Sequence, residues 1–257
     1  MHNHLFLLRE LVTRDFKARY VGSAFGFLWS FVLPIWQLLL FTFVFAGVMK
    51  IRLAEGATSG SFALFVFSGL LPWTALHEGV MRGTTAITDN AALVSKLRFP
   101  ARLLIATVVL TALVHEAIAG GVFAGYLALS GQLSWATLPA LLVAIPLQAA
   151  LTLGLGLALA TVHVFFRDLA QAVGMVLFGW FYLTPVVYPL PMVPGRMRAV
   201  VAVNPLTTLV GMYRWALLGD PPPSAGAFAL LVVVCLLLLF VGAVLFRRFE
   251  PGFVDEL

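Results

Sequence analysis

The chain has 257 residues and a formal net charge of +5; 61% of its residues are hydrophobic and only 11% are charged. A soluble domain carries about a quarter charged residues to wet its surface, so this composition excludes an ordinary soluble fold and points to lipid as solvent. The basic residues stand in short clusters between long apolar runs, which reads as membrane topology and argues against nucleic acid as a partner, and the single cysteine, Cys235, excludes a disulfide framework or a paired-thiol metal site.

The first apolar run, residues 5–8, is cut short by Arg9 and Glu10, too early for a signal sequence. From there Glu10, Thr13, Arg14 and Lys17 recur on one helical face, while Leu5, Leu8, Val12 and Phe16 mark a second. This predicts an amphipathic helix lying in the cytoplasmic interface, within a unit spanning 1–24. Asp15 and Arg19 intrude on the apolar face, which leaves open a short solvated helix leading into the first span.

About 20 apolar residues cross the hydrocarbon core as a helix. Six stretches qualify: 25–48, 61–80, 103–129, 137–164, 171–190 and 226–246. The strand alternation of a barrel is absent, and lipid satisfies no backbone polar group, so helices are expected. The predicted fold is an all-α integral membrane protein forming a single domain over 1–257. It has six transmembrane helices within 25–246, an N-terminal interface helix and a cytoplasmic tail at 247–257.

With the N-terminus inside, Arg9, Arg14, Lys17, Arg19, Arg82, Lys96, Arg98, Arg102, Arg167, Arg247 and Arg248 fall on the cytoplasmic side. Lys50, Arg52, Arg196, Arg198 and Arg214 fall outside. The bias predicts a multi-pass protein with both termini cytoplasmic.

The inner segment 81–102 is the longest of the predicted cytoplasmic loops. Thr88, Asp89 and Asn90 can cap a short helix running to Lys96, and Phe99-Pro100 then breaks the chain before the next span. Such a basic helix suits docking of a soluble partner; an ordinary positive-inside loop fits the residues equally. The outer segment 191–225 differs. It carries Pro194, Pro205 and Pro221-Pro222-Pro223, yet 201–218 is mostly apolar. Too broken to span and too apolar for water, it predicts a pair of short re-entrant or interfacial helices.

Small residues recur every four positions: Ala117, Gly121 and Gly125 in the third span, Ala150, Gly154 and Ala158 in the fourth. They predict close helix packing, within the chain or between chains. No internal repeat marks an inverted-repeat carrier. His115 and Glu116 sit near the middle of the third span, where ionisable groups are costly. A proton relay with His163, or a transferase site, is one reading; burial with hydrogen-bonded partners in the bundle is the other. Aromatics are abundant. Phe25, Trp29, Trp36 and Phe43 share a face of the first span, and Phe178, Phe181 and Tyr182 crowd the fifth. They read either as an interfacial belt or as a channel lining on which sugar rings stack. No P-loop, HExxH or GxSxG occurs, so ATP hydrolysis, where the function needs it, belongs to another chain, and no catalytic residue, metal ligand or cofactor site is expected here.

Five segments carry a resemblance: LVTRDFKARYVGSAFGFLWSFVLP (11–34), KLRFPARLL (96–104), VFFRDLAQ (164–171), TPVVYPL (184–190) and NPLTTLVGMYRWALLG (204–219). Together they resemble the ABC-2 type permeases that export polysaccharides: O-antigen, teichoic-acid and capsule. The first segment is closer to the O-antigen and teichoic-acid branch. The resemblance implies a bacterial inner-membrane subunit that works as a homodimer around a central channel. It implies a separate cytoplasmic ATPase dimer, holding ATP and Mg, docked beneath, and a lipid-linked polysaccharide as cargo, with capsule, teichoic acid or a small drug as alternatives. It makes Thr88, Asp89, Asn90, Lys96 and Arg98 the coupling helix, with Arg167 and Asp168 at the inner mouth or on the ATPase. It places Asn204, Pro205, Tyr213, Arg214 and Trp215 in an outer gate, and turns the aromatics of the first and fifth spans towards the polymer. A proton-coupled secondary carrier or a membrane-embedded transferase built on His115 and Glu116 is the rival class.

Overall fold

A computed structural model describes residues 2–19, 21–23, 25–48, 62–96 and 99–257, and every regular element among them is helical. The first helix, α1 (His2–Ala18), is followed by a 3-10 turn at Gly26–Leu28. Then come α2 (Trp29–Phe41), continued by π-helical turns to Val48, and α3 (Phe62–Thr85). A 3-10 turn at Thr88–Asn90 opens α4 (Ala91–Lys96), and α5 (Arg102–Leu129), α6 (Leu141–Phe165) and α7 (Leu169–Leu183) complete the central run. The chain ends with α8 (Gly195–Val203), α9 (Pro205–Leu218), α10 (Ala225–Phe249) and α11 (Phe253–Glu256).

Four stretches among the described residues are long and apolar enough to cross a membrane: Gly26–Phe45, Arg102–Leu129, Leu138–Phe165 and Ala225–Glu256. The remaining two expected spans depart from that pattern. α3 is 24 residues long but carries His77, Glu78 and Arg82 in its second half. α7 stops at Leu183, seven residues before the expected end at 190, so at 1.5 Å per residue it is about 22 Å long. The cause is local. Thr184 precedes Pro185, whose ring disfavours helical backbone in the residue before it, and Thr184 is extended at φ −104° and ψ 133°.

α3 is the hub. It is buried on nearly all sides and packs against α5, α6, α7 and α9. The larger core gathers Leu71 and Leu76 of α3 with Phe123, Leu151, Leu177 and Leu209. A second core forms where α3 turns into α4, from Ile87, Val94, Ile105, Leu157, Phe246 and Phe253. α10, by contrast, buries little beyond Leu231, Cys235, Gly242 and Phe246, as suits an apolar helix turned largely to lipid.

α6 and α10 form the tightest pair, and Gly154 is the reason. A Cβ there would stand 2.5 Å from the Leu238 carbonyl carbon, and one on Gly242 would overlap the Gly154 carbonyl oxygen. The expected small-residue packing therefore holds in the fourth span. In the third span this chain supplies no such contact: nothing within it lies within 4 Å of a Cβ built on Gly121 or Gly125. Ala117, Gly120 and Gly121 instead line an apolar cavity of about 270 Å³ with Leu141, Ile145 and Leu217.

α1 forms as expected, but its packed face is shifted. Leu11 is buried and Leu5 is 69% exposed. The charges that interrupt the apolar face are bonded: Asp15 meets Arg82 at 2.6 Å, and Arg19 pairs with Glu78. The face is thus apolar against α5 and ionic against α3. The segment after α10 is another departure from expectation. It folds back through the turn Glu250–Gly252 and buries Phe253 fully.

Candidate functional site

Four groups of residues carry the functional expectations. Along α2 and the turns on either side of it, Phe25, Trp36 and Phe43 are 61%, 62% and 66% exposed, and Trp29 lies edge-on to Phe25 at 5.6 Å. On α7, Phe178 and Tyr182 are one helical turn apart, both exposed, and packed edge to face at 5.3 Å. Two open cavities flank that pair. One, about 570 Å³, is lined by Met81, Gly174, Met175 and Phe178; the other, about 610 Å³, by Tyr182, Tyr188, Met192 and Met197. Phe181 departs from the expected wall. It turns to the core side and packs on Trp73 at 5.3 Å, because a residue one position before Tyr182 points about 100° away.

The coupling residues lie at the end of α3. Thr88, Asp89 and Asn90 were expected to cap a helix ahead of them, but their side chains bond backwards. The Thr85 hydroxyl donates to Asp89 Oδ2 at 2.7 Å, Thr88 donates to the Thr85 carbonyl, and Asn90 Nδ2 donates to the Ala86 carbonyl. This locks the turn to the last turn of α3. The backbone of Lys96 ends α4; Arg98 lies outside the described residues. Arg167 and Asp168 are exposed in the tight turn between α6 and α7.

The residues assigned to an outer gate bond several elements together. Asn204 caps α9 by accepting from Leu206 N–H at 3.1 Å. Its Oδ1 also accepts from Trp180 Nε1 at 3.0 Å, and its Nδ2 donates to Thr184 Oγ1 at 2.9 Å. Pro205 follows at the first helical position, where its missing N–H costs nothing. The Arg214 guanidinium is buried, donates to the Val186 carbonyl at 2.8 Å, and lies 3.5 Å over the Phe65 ring. Gly69 leaves the space for it, since a Cβ there would stand 2.8 Å from Arg214 Nη2. Together Asn204 and Arg214 hold the 184–188 turn, and with it the C-terminal end of α7, to α9. Trp215 is half-buried beside Pro222 and Pro223. At the C-terminus of α9, Gly219 adopts φ 72°, a left-handed cap against Ser134 that a side chain would strain.

His115 and Glu116 serve different neighbours. The His115 ring stacks on Phe16 at 5.0 Å and approaches Glu78 at 3.8 Å, on the α1 side of α5. Glu116 accepts from Gln148 Nε2 at 2.7 Å, and Gln148 Oε1 in turn accepts from the Tyr213 hydroxyl at 2.7 Å. His163 lies about 22 Å further along α6 from Gln148, so the three groups form no relay chain. Glu78 and Gln148 were not singled out from sequence. Glu78 had a legible signal, standing four residues before Arg82; Gln148 had none. Among the described residues no group of three or more His, Cys, Asp or Glu is placed to hold a metal ion.

Residues 7–218 match the ABC-2 type transporter family, and the chain belongs to that family of multi-pass membrane proteins. It is 33% identical to the O-antigen export system permease protein RfbA of Myxococcus xanthus, over all of this chain and 97% of that protein. It is 27% identical to a protein of the same name from Klebsiella pneumoniae, over 99% of this chain and 96% of that one. Identity to the polysialic acid transport protein KpsM of Escherichia coli is 24%, over 97% and 95% of the two chains. The family expected from the sequence segments is borne out.

Proposed function

We propose that this chain is the permease subunit of an ATP-driven exporter that moves a lipid-linked polysaccharide, of the O-antigen class, outward across the bacterial inner membrane. Two copies enclose the path, and a separate cytoplasmic ATPase dimer docks on the α3–α4 turn. In this reading α2, α3, α5, α6, α7 and α10 are the six spans, and α8 and α9 dip in from the outer face as a gate. The termini lie in the cytoplasm. The full-length similarity to O-antigen export permeases supports the cargo class.

The observation that carries the channel reading is the exposed Phe178–Tyr182 pair on α7, set between two open cavities. A sliding polymer is held weakly at many equivalent places, because deep polar sites trap it. Aromatic faces meet that need, each contact contributing on the order of 1 kcal/mol and tolerating shifts in register. In Phe178→Ala with Tyr182→Ala, exported polysaccharide per assembled complex is expected to fall further than in either single variant. A lipid-facing belt would instead alter expression and leave export per complex intact; that result removes the channel assignment.

The similarity to a polysialic acid transport protein keeps capsule polysaccharide as the second cargo. Supplying purified complex with each lipid-linked glycan in turn separates the two.

A further inference from the structure

Segment 247–257 reads in sequence as a tail, but the fold uses it as a brace. Glu250-Pro251-Gly252 turns the chain back after α10, and Phe253 becomes fully buried. Its ring lies edge-on to Phe246 of α10 at 5.3 Å and tilted against Phe165 of α6 at 6.3 Å. It shares one apolar cluster with Ile87 and Val94, and α11 lies directly against α4.

α4 has six residues. A helix so short does not hold its shape in water and takes its order from what it packs on. The turn that opens it is tied back to the end of α3 by the Thr85–Asp89 and Asn90–Ala86 bonds. Val94 of α4 and Ile87 just before the turn face inward onto the cluster that Phe253 completes, while Asp89 of the turn and Ala92 and Ser95 of α4 face outward. The outward row is what a soluble partner can press on; the inward row determines where that push goes.

We propose that Phe253 is a positioning residue for energy coupling. It clamps α4 to the cytoplasmic ends of α6 and α10, so that force applied at Asp89–Ser95 reaches the close-packed α6–α10 pair. Without it, the push is lost in tilting of α4. This rests on the reading of α4 as the ATPase-docking helix.

Two measurements test it. In the permease alone, in lipid nanodiscs, Phe253→Ala is expected to speed amide hydrogen exchange at 88–95 and leave the α6 interior unchanged. In vesicles holding the complete complex, the same variant is expected to lower polysaccharide exported per ATP hydrolysed several-fold, with ATPase retention near normal. Phe253→Leu should restore most of the ratio, and Val254→Ala, at an exposed neighbour, should not alter it. If Phe253→Ala fails to insert, Val94→Ala trims the α4 side of the same cluster and is read in the same way. Unchanged exchange at 88–95 together with an unchanged export ratio overturns the brace. If Asp89→Lys with Ser95→Lys also leaves the ratio unchanged, the docking role of α4 falls, and the exchange result still decides the clamp.

Discussion

Asp15 of α1 and Arg82 of α3 meet at 2.6 Å, joining the N-terminal helix to the helix that leads into α4. Glu78, one turn before Arg82, holds Arg19 and lies 3.4 Å from Arg82, so the contact is a small alternating network. Both ends of the Asp15–Arg82 pair are partly exposed, at 24% and 34% for the side chains, and its contribution is discounted accordingly to about 1 kcal/mol. Arg82→Asp alone is expected to release α1, because two carboxylates would then face Asp15. The exchange Asp15→Arg with Arg82→Asp should recover much of the docking. Protease protection of residues 2–18 reads the result, and equal release in the single and exchanged variants counts against the network.

Gln148 is the centre of a buried chain from Glu116 through its amide to Tyr213, and it also donates to the Pro72 carbonyl at 3.3 Å. Gln148→Leu takes the amide away from the Glu116 carboxyl and the Tyr213 hydroxyl and should cost about 2–3 kcal/mol of stability. Glu116→Gln keeps an acceptor for the Gln148 amide, so its cost should be about 1 kcal/mol and export per folded complex should be unchanged. Thermal unfolding in detergent gives the order. Selective loss of export in well-folded Glu116→Gln, with export following a proton gradient, would favour a proton-coupled carrier.

Gly242 of α10 and Gly121 of α5 should respond differently. Gly242→Ala forces a methyl into the Gly154 carbonyl and should destabilise the α6–α10 pair by about 1–3 kcal/mol. Gly121→Ala meets nothing within 4 Å and should change the monomer's stability by about 0.5 kcal/mol or less. Comparable losses at both positions would mean that another chain covers Gly121 in the membrane, which cross-linking would reveal.

Topology is checked by thiol labelling in a background lacking Cys235. Gly195→Cys, exposed at the start of α8, should label from outside intact cells, and Glu256→Cys only after permeabilisation. Labelling of Gly195→Cys from the cytoplasmic side alone would overturn the six-span arrangement.

The local chemistry that sets helix ends was mostly readable. The apolar runs located α2, α5, α6 and α10 to within a few residues, and Asn204-Pro205 marked the start of α9, because a side-chain cap followed by proline is a contiguous signal. The fifth span was read too long because a hydropathy run does not register that the residue before a proline leaves the helix. α1 was read with its ionic intrusions unexplained, since Asp15 and Arg19 find their partners about sixty residues away along the chain.

Composition and periodicity, by themselves, determined that this chain lives in lipid, that it is helical, and where most of its helices lie; these follow from local spacing and from lipid's inability to bond a bare backbone. They could not determine which face of a helix meets which neighbour. The tertiary structure alone decided that Glu116 bonds Gln148 rather than His163, that Phe181 turns inward while Tyr182 turns out, that Arg214 clamps the 184–188 turn, and that Phe253 folds back beneath α4. The reason is physical. Nearly every position in these helices is apolar, so hydrophobicity marks no preferred side, and in lipid the choice falls to close packing at a few small residues and to the pairing of a few buried polar groups.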